Sequence, residues 1–237
     1  MEKTEKILSA RERQALQKRD QIITASMELF WETCIEDTSM EEIAKRAKVG
    51  VATVYRYFST KIELVVETAQ CYWKKVAQKY LGELNEVTEQ SDAETDMEAG
   101  EEYLVSATKS GADQLQKIME IFCDIFAEQK AFLKFLQEFD VFVKKYQISG
   151  DGLANYETGI LNLKPYMTNA LEAGQRDGSL VFHCSVDEMY FSLTHAMLAL
   201  MEKLSVAGDI LLSDQIVAGD QQIRVISQLL LDGMKKG

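Results

Sequence analysis

TSMEEIAKRAKVGVATVYRYF, residues 38–58, is the stretch whose reading decides the fold. Ser39 followed by Glu42 forms a capping box, in which the serine accepts an early backbone N–H and the glutamate reaches back to the cap. Ile43, Ala44 and Ala47 then share one helical face, and Glu41, Lys45 and Arg46 take the others. Lys48-Val49-Gly50 is a tight turn, with Gly50 as N-cap of a second short helix over 51–58. Val54 and Phe58, four residues apart, pack inward. Val51, Ala52, Thr53, Tyr55 and Arg56 are left facing out. Small residues and one cation on the exposed face of a short helix suit close approach to a DNA groove, so the stretch reads as a helix-turn-helix.

Upstream, residues 18–34 carry an amphipathic pattern in which Ile22, Ile23, Ser26, Leu29, Phe30, Thr33 and Cys34 mark one face. A three-helix core is therefore expected from Ile22, Leu29, Phe30, Ile43, Ala47, Val54 and Phe58. Residues 1–17 are charged and lack an apolar stripe. They read as a solvated N-terminal arm or helical extension whose Lys3, Lys6, Arg11 and Arg13 are available to phosphates.

Downstream, Ser59-Thr60-Lys61 restarts the chain into a long helix. It is expected to run to residue 84 along Ile62, Val65, Val66, Ala69, Tyr72, Trp73, Val76 and Tyr80, with no break between the DNA-reading module and the body of the chain. Residues 83–102 hold nine acids and no Lys or Arg, and read as a solvated loop. Further helices are expected over 115–129, 131–146, 155–173 (closed by Gly174), 186–207 and 221–235. Pro165, the only proline, should kink the helix over 155–173 or mark a join between two segments. A chain with one proline, rich in Glu, Lys, Gln, Leu and Ala, is expected to be all-α. The domains expected are 1–17 as extension, 18–62 as helix-turn-helix domain and 63–237 as a ligand-binding and dimerisation domain.

The formal net charge of −12 speaks at first against nucleic acid. It is unevenly spread, however. Residues 1–61 hold eleven Lys/Arg against ten Asp/Glu, leaving −13 on the other 176 residues. A near-neutral end on an acidic body fits a protein that meets DNA with that end only. Cys34, Cys71, Cys123 and Cys184 are widely spaced with no CxxC, which points to free thiols in a reducing cytoplasm. The N-terminus is too charged for a signal peptide, and no apolar run approaches the ~20 residues that span a bilayer, so no membrane partner is expected.

The pattern T-S-x-x-x-I-A-x-x-A-x-V, then T-V-Y-R-Y-F, then S-T-K-x-x-L resembles the tetracycline-repressor (TetR) family of bacterial regulators over about residues 18–65. The residues carrying it are Thr38, Ser39, Ile43, Ala44, Ala47, Val49, Thr53 through Lys61, and Leu64. Ala173–Leu180 also resembles a frequent turn of that family. The resemblance implies a homodimer on a two-fold, double-stranded DNA operator, last-two-helix packing between subunits, and repression relieved by a small-molecule effector. It implies phosphate contacts from Thr38, Tyr55 and Lys61. It also implies that Gly50, Val51, Ala52, Thr53 and Arg56 lie in or beside the major groove, with Ser39 at the same surface. Two positions depart from the family: Lys48 stands where glycine is usual, its charge suited to a phosphate, and Gly50 where Ser or Thr caps.

Six of the ten phenylalanines fall between Phe122 and Phe142. An aromatic stripe at helical spacing is usually packing, yet as a group some are expected to line an apolar pocket. The candidates are Trp73, Tyr103, Met119, Phe122, Cys123, Phe126, Phe135, Phe139 and Tyr156. His183, Cys184 and His195 have no third partner at metal spacing and read as structural. With no phosphate loop, nucleophile elbow or zinc motif, neither an enzyme nor a cofactor is expected. The competing reading is a helical dimeric ligand carrier or adaptor whose N-terminal module does not read DNA.

Overall fold

The computed structural model describes residues 9–88, 109–208, 210 and 212–235. Those residues form ten α-helices with no strand; one isolated antiparallel bridge joins Leu180 to Lys235. In chain order the helices are α1 (Ala10–Glu32), α2 (Met40–Arg46), α3 (Val51–Tyr57), α4 (Lys61–Thr88) and α5 (Gly111–Glu128). They continue with α6 (Lys130–Lys145), α7 (Gly150–Leu161), α8 (Lys164–Asp177), α9 (Val186–Ala207) and α10 (Gly219–Asp232). The chain is all-α, with an N-terminal helix-turn-helix domain and a C-terminal helical domain.

Two compact units divide the chain. One takes residues up to 72 together with 137–156; the other takes 73–136 and 157–237. In the first, Ile22, Phe30, Ile43, Val54 and Phe58 are at most 1% exposed and form the core that the apolar spacing predicts; Leu64 of α4, outside that expectation, is fully buried with them. Arg19 of α1 ion-pairs with Glu67 of α4 and lies over the Phe58 ring at 5.5 Å. The loop after α1 is held by residues from much later in the chain. Glu138 accepts the Ile35 N–H at 2.8 Å, and the Glu36 carboxylate meets Lys145 Nζ at 3.1 Å and the Tyr146 hydroxyl at 3.3 Å.

Capping boxes start α1 (Ser9/Glu12), α2 (Ser39/Glu42), α5 (Ser110/Asp113) and α9 (Ser185/Glu188). The first of these explains why α1 begins at Ala10 instead of 18: residues 10–17 are helical because their start is capped, not because they bury a face. Residues 1–8, with Lys3 and Lys6, lie outside the described residues. Helix α4 likewise runs past 84 to Thr88, so the expected loop does not begin at 83. Leu84 continues the buried stripe at 8% exposure, and Glu83 pairs with Lys117 at 2.8 Å. The rest of the acidic segment, from 89, lies outside the described residues.

In the second unit α5 packs against α8 and α10, and α9 against α8 and α10. Pro165 stands in the first turn of α8, where its missing N–H has no helical partner to lose, and so marks a join and not a kink. The expected helix end at Gly174 is corrected. Helix α8 continues to Asp177 and closes on Gly178, which takes the left-handed conformation at φ 75°. Gly174 serves contact instead. A Cβ there would lie 2.4 Å from Leu180 Cδ1, and one on Gly111 would lie 1.9 Å from the Gly174 nitrogen. The backbones of α5 and α8 therefore touch, and the turn after α8 caps α5. The Gly111 N–H donates to Asp177 at 2.7 Å and the Ala112 N–H to Ser179 Oγ at 3.0 Å. Although burial opposes it, hydrogen bonds from Ser179 and Gly111 hold the Asp177 carboxyl below its ordinary range. Because the clash falls on backbone, Gly111→Ala is expected to destabilise the protein by about 1–3 kcal/mol, read as a lower urea midpoint at unchanged slope.

Candidate nucleic-acid interface

The turn and the short helix after it are built by backbone geometry. Lys48 adopts φ 54°, the left-handed conformation that the glycine usual at this position would reach without strain. Its N–H bonds to the Lys45 carbonyl at 3.2 Å, and the Val49 N–H to the Ala44 carbonyl at 3.0 Å, which closes α2. Gly50 at φ −70°, ψ 147° is the N-cap of α3 and offers no side-chain bond. Lys48→Gly is expected to raise stability by about 1 kcal/mol and, if the lysine meets a phosphate, to lower the salt dependence of DNA binding by about one ion. Denaturant midpoints and a salt titration of binding check the two halves.

On α3, Val51, Ala52, Tyr55 and Arg56 are exposed, Thr53 and Tyr57 are half-buried, and Val54 is fully buried. The exposed face is thus small and apolar at its N-terminal end, with Tyr55 and Arg56 beyond. Methyl-bearing Val51, Ala52 and Thr53 suit thymine methyl groups, and the Arg56 fork suits guanine. Arg56 rests over the Tyr57 ring at 5.3 Å, which limits its rotamers before any ligand arrives.

Around this face the cations divide into engaged and available. Arg46 is clamped by Glu32 through two contacts of 2.9 and 2.6 Å, with Glu28 at 3.4 Å, so it ties α2 to α1. Lys45, Lys48 and Arg56 make no ion pair among the described residues. Lys61 is half-buried at the start of α4. Its Nζ donates to the Glu36 carbonyl at 2.9 Å, and burial, against the attraction of Glu36, pulls its pKa down.

Two residues named from the sequence have occupied hydroxyls. Thr38 is 2% exposed and donates to the Cys34 carbonyl at 2.7 Å, with Thr33 Oγ1 at 2.9 Å. Ser39 is spent on its capping box, donating to Glu42 at 2.7 Å and accepting its N–H at 3.2 Å. The bonds from Ser39 hold the Glu42 carboxyl below its ordinary range. Thr38 and Ser39 shape the entry to α2, whereas Gly50, Val51, Ala52, Thr53, Tyr55, Arg56 and Lys48 form a surface.

The second unit contains an apolar cavity of about 110 Å³. Trp73 and Leu84 of α4 line it with Ile118, Ile121, Phe122 and Ile125 of α5; Ile160, Leu163, Tyr166, Met167, Tyr190 and Thr194 complete it. Of the residues named from the sequence, Trp73 and Phe122 are therefore on its wall. Met119, Phe126 and Phe135 are buried core, at 0–2% exposure. Cys123 lies in a separate polar groove with Arg224 and Ser227. Phe139 and Tyr156 pair with each other in the first unit, their rings 4.9 Å apart. Tyr103 lies outside the described residues. Leu84, Ile118, Ile121, Ile125 and the wall residues from α7 to α9 lie outside the sequence expectation, since helical spacing reports that a face is buried and not which distant helix it meets.

All four cysteines are free thiols. Among the described residues no group of three His, Cys, Asp or Glu could hold a metal, and no helix is long and apolar enough to cross a membrane.

Residues 22–68 match the family model described as bacterial regulatory proteins, tetR family. No curated protein sequence matches the chain. Solved structures do. The ketosteroid transcriptional regulator KstR2 of Mycobacterium tuberculosis aligns with TM-score 0.60 and 14% identity over 93% of this chain and 96% of that one. The fatty acid degradation regulator FadR from Bacillus halodurans aligns with TM-score 0.59 and 18% identity over 90% and 94%. A TetR-family transcriptional regulator from Agrobacterium tumefaciens aligns with TM-score 0.61 and 13% identity over 94% and 100%. At these identities the likeness is one of fold.

Proposed function

We propose that this chain, a TetR-family DNA-binding transcriptional regulator, is a homodimeric repressor that a small, largely apolar effector releases from a palindromic operator. The observation carrying this reading is α4. One uninterrupted helix starts at Lys61, beside the DNA-reading surface, and presents Trp73 and Leu84 to the apolar cavity. An effector larger than about 110 Å³ has to part the cavity walls, since ligand sites ordinarily occupy ~300–1,000 Å³. Displacement of α4 is then felt at Lys61. A two-fold dimer must hold its recognition helices about 34–36 Å apart, so a shift at that point costs operator affinity. The effector needs only to favour the mismatched state by a few kcal/mol.

Dimerisation through α9 and α10 is supported by their outward faces. Phe191 is 41% exposed, Val225 51% and Leu229 62%, and Ser192, Ala196 and Ala199 make a small-residue track that lets another helix approach. The repressor acts in the cytoplasm, where its operator is. Footprinting of the DNA flanking its own gene is the test: the dimer is expected to protect one inverted repeat, and the absence of any protected palindrome would overturn the proposal.

A further inference from the structure

We propose that the cavity of the second unit selects uncharged alcohols over acids and amines of the same carbon skeleton; this rests on reading that unit as the effector-binding domain. The wall is hydrocarbon and aromatic, with Trp73 and Phe122 among its rings, and its polar side-chain groups are the Trp73 indole N–H and the hydroxyls of Tyr166, Tyr190 and Thr194. No Asp, Glu, Lys, Arg or His lines it among the described residues. Tyr166 donates its proton to Asn85 Oδ1 at 2.9 Å, and Thr194 donates to the Tyr190 carbonyl at 2.8 Å. Each of these two oxygens keeps lone-pair capacity and can accept from a ligand hydroxyl. A carboxylate finds no cationic partner there and an ammonium no anionic one, so either would be desolvated unpaired. The cation standing over the Tyr190 ring, Lys164 at 5.6 Å, is already held by Asp187 at 2.7 Å. Benzene occupies a cavity of about 150 Å³; this one is about 110 Å³, so even a six-carbon probe has to part its walls slightly, as the proposed release step requires.

The experiment uses the full chain carrying Trp31→Phe, which leaves Trp73 as the only tryptophan. Trp73 fluorescence is titrated at pH 7 with 1-hexanol, hexanoate and hexylammonium, and release of the footprinted operator is followed in parallel. Saturable binding of 1-hexanol is expected, with both ions at least ~10-fold weaker, an energy difference of about 1.4 kcal/mol. Ile160→Phe, which fills the cavity from its rim, is expected to weaken 1-hexanol at least ~10-fold, and Ile125→Phe serves if that variant does not fold. Equal or tighter binding of either ion would overturn the selectivity, with a hexanoate preference assigning Lys164 as counter-ion. No saturable binding, or binding unchanged in both filled variants, would overturn the site. Alcohol binding without operator release supports this inference and sinks the release step of the repressor reading alone.

Discussion

Tyr55→Ala combined with Lys61→Ala is expected to lower operator affinity at least ~100-fold at ~0.15 M salt while leaving the fold intact. Contacts to phosphates fix the register of such a module on the duplex, and hydrogen bonds to a charged partner each contribute about 1.5–3 kcal/mol. Tyr55 is 46% exposed and lies outside the domain's core, so its loss should not unfold the domain. Lys61 needs a control, because its Nζ also tethers the Glu36 carbonyl at 2.9 Å. Lys61→Arg restores a cation with donors and should recover most of the affinity. The double variant should also flatten the log-affinity against log-salt slope by about one ion, the share of the lost lysine. Fluorescence anisotropy on the footprinted operator across a salt series measures all of this. Affinity within threefold of the parent would remove both residues from the interface.

Aspartates at Val225 and Leu229 should have a still broader effect. The two positions lie one helical turn apart on the outward face of α10, so paired carboxylates would be desolvated against a partner helix. A species of 26.8 kDa is expected in sedimentation velocity at micromolar concentration. Operator affinity should then drop by about 10²–10⁴, because a monomer loses the high local concentration that the first half-site confers on the second. An unchanged dimer would place the subunit contact elsewhere.

How much of the fold and of the site is legible in the sequence depends on the range of the interaction concerned. The Ser39/Glu42 box, the Gly50 cap, the inward pair Val54 and Phe58, and the outward Val51, Ala52, Tyr55 and Arg56 are all set within four or five residues. The spacing of side chains alone is enough to read them. Lys48 is legible in the same way, as a residue standing where the turn demands a left-handed backbone. Thr38 is not: its hydroxyl is drawn inward by the Cys34 carbonyl, a loop detail that no periodicity encodes. Gly174 looks like a helix terminator because glycine commonly is one, but its small size is used against Leu180 and Gly111, the latter 63 positions away in the chain. The aromatic residues divide on the same principle. Phe122 reaches the cavity and Phe126, one turn on, does not, and only the packing of α5 against its neighbours separates them.

The late residues that clasp the loop after α1 bear on how the chain is made. Glu138, Lys145 and Tyr146 leave the ribosome long after α3 has been translated. At ~5–20 residues per second, residue 156 follows residue 72 by about 4–17 s. Throughout that interval the nascent DNA-reading unit lacks part of its own packing. A prematurely terminated product ending near residue 72 should therefore be a poor competitor for the operator. On the repressor reading, firm occupancy of the operator would then come only from chains already well into the segment proposed to receive the effector.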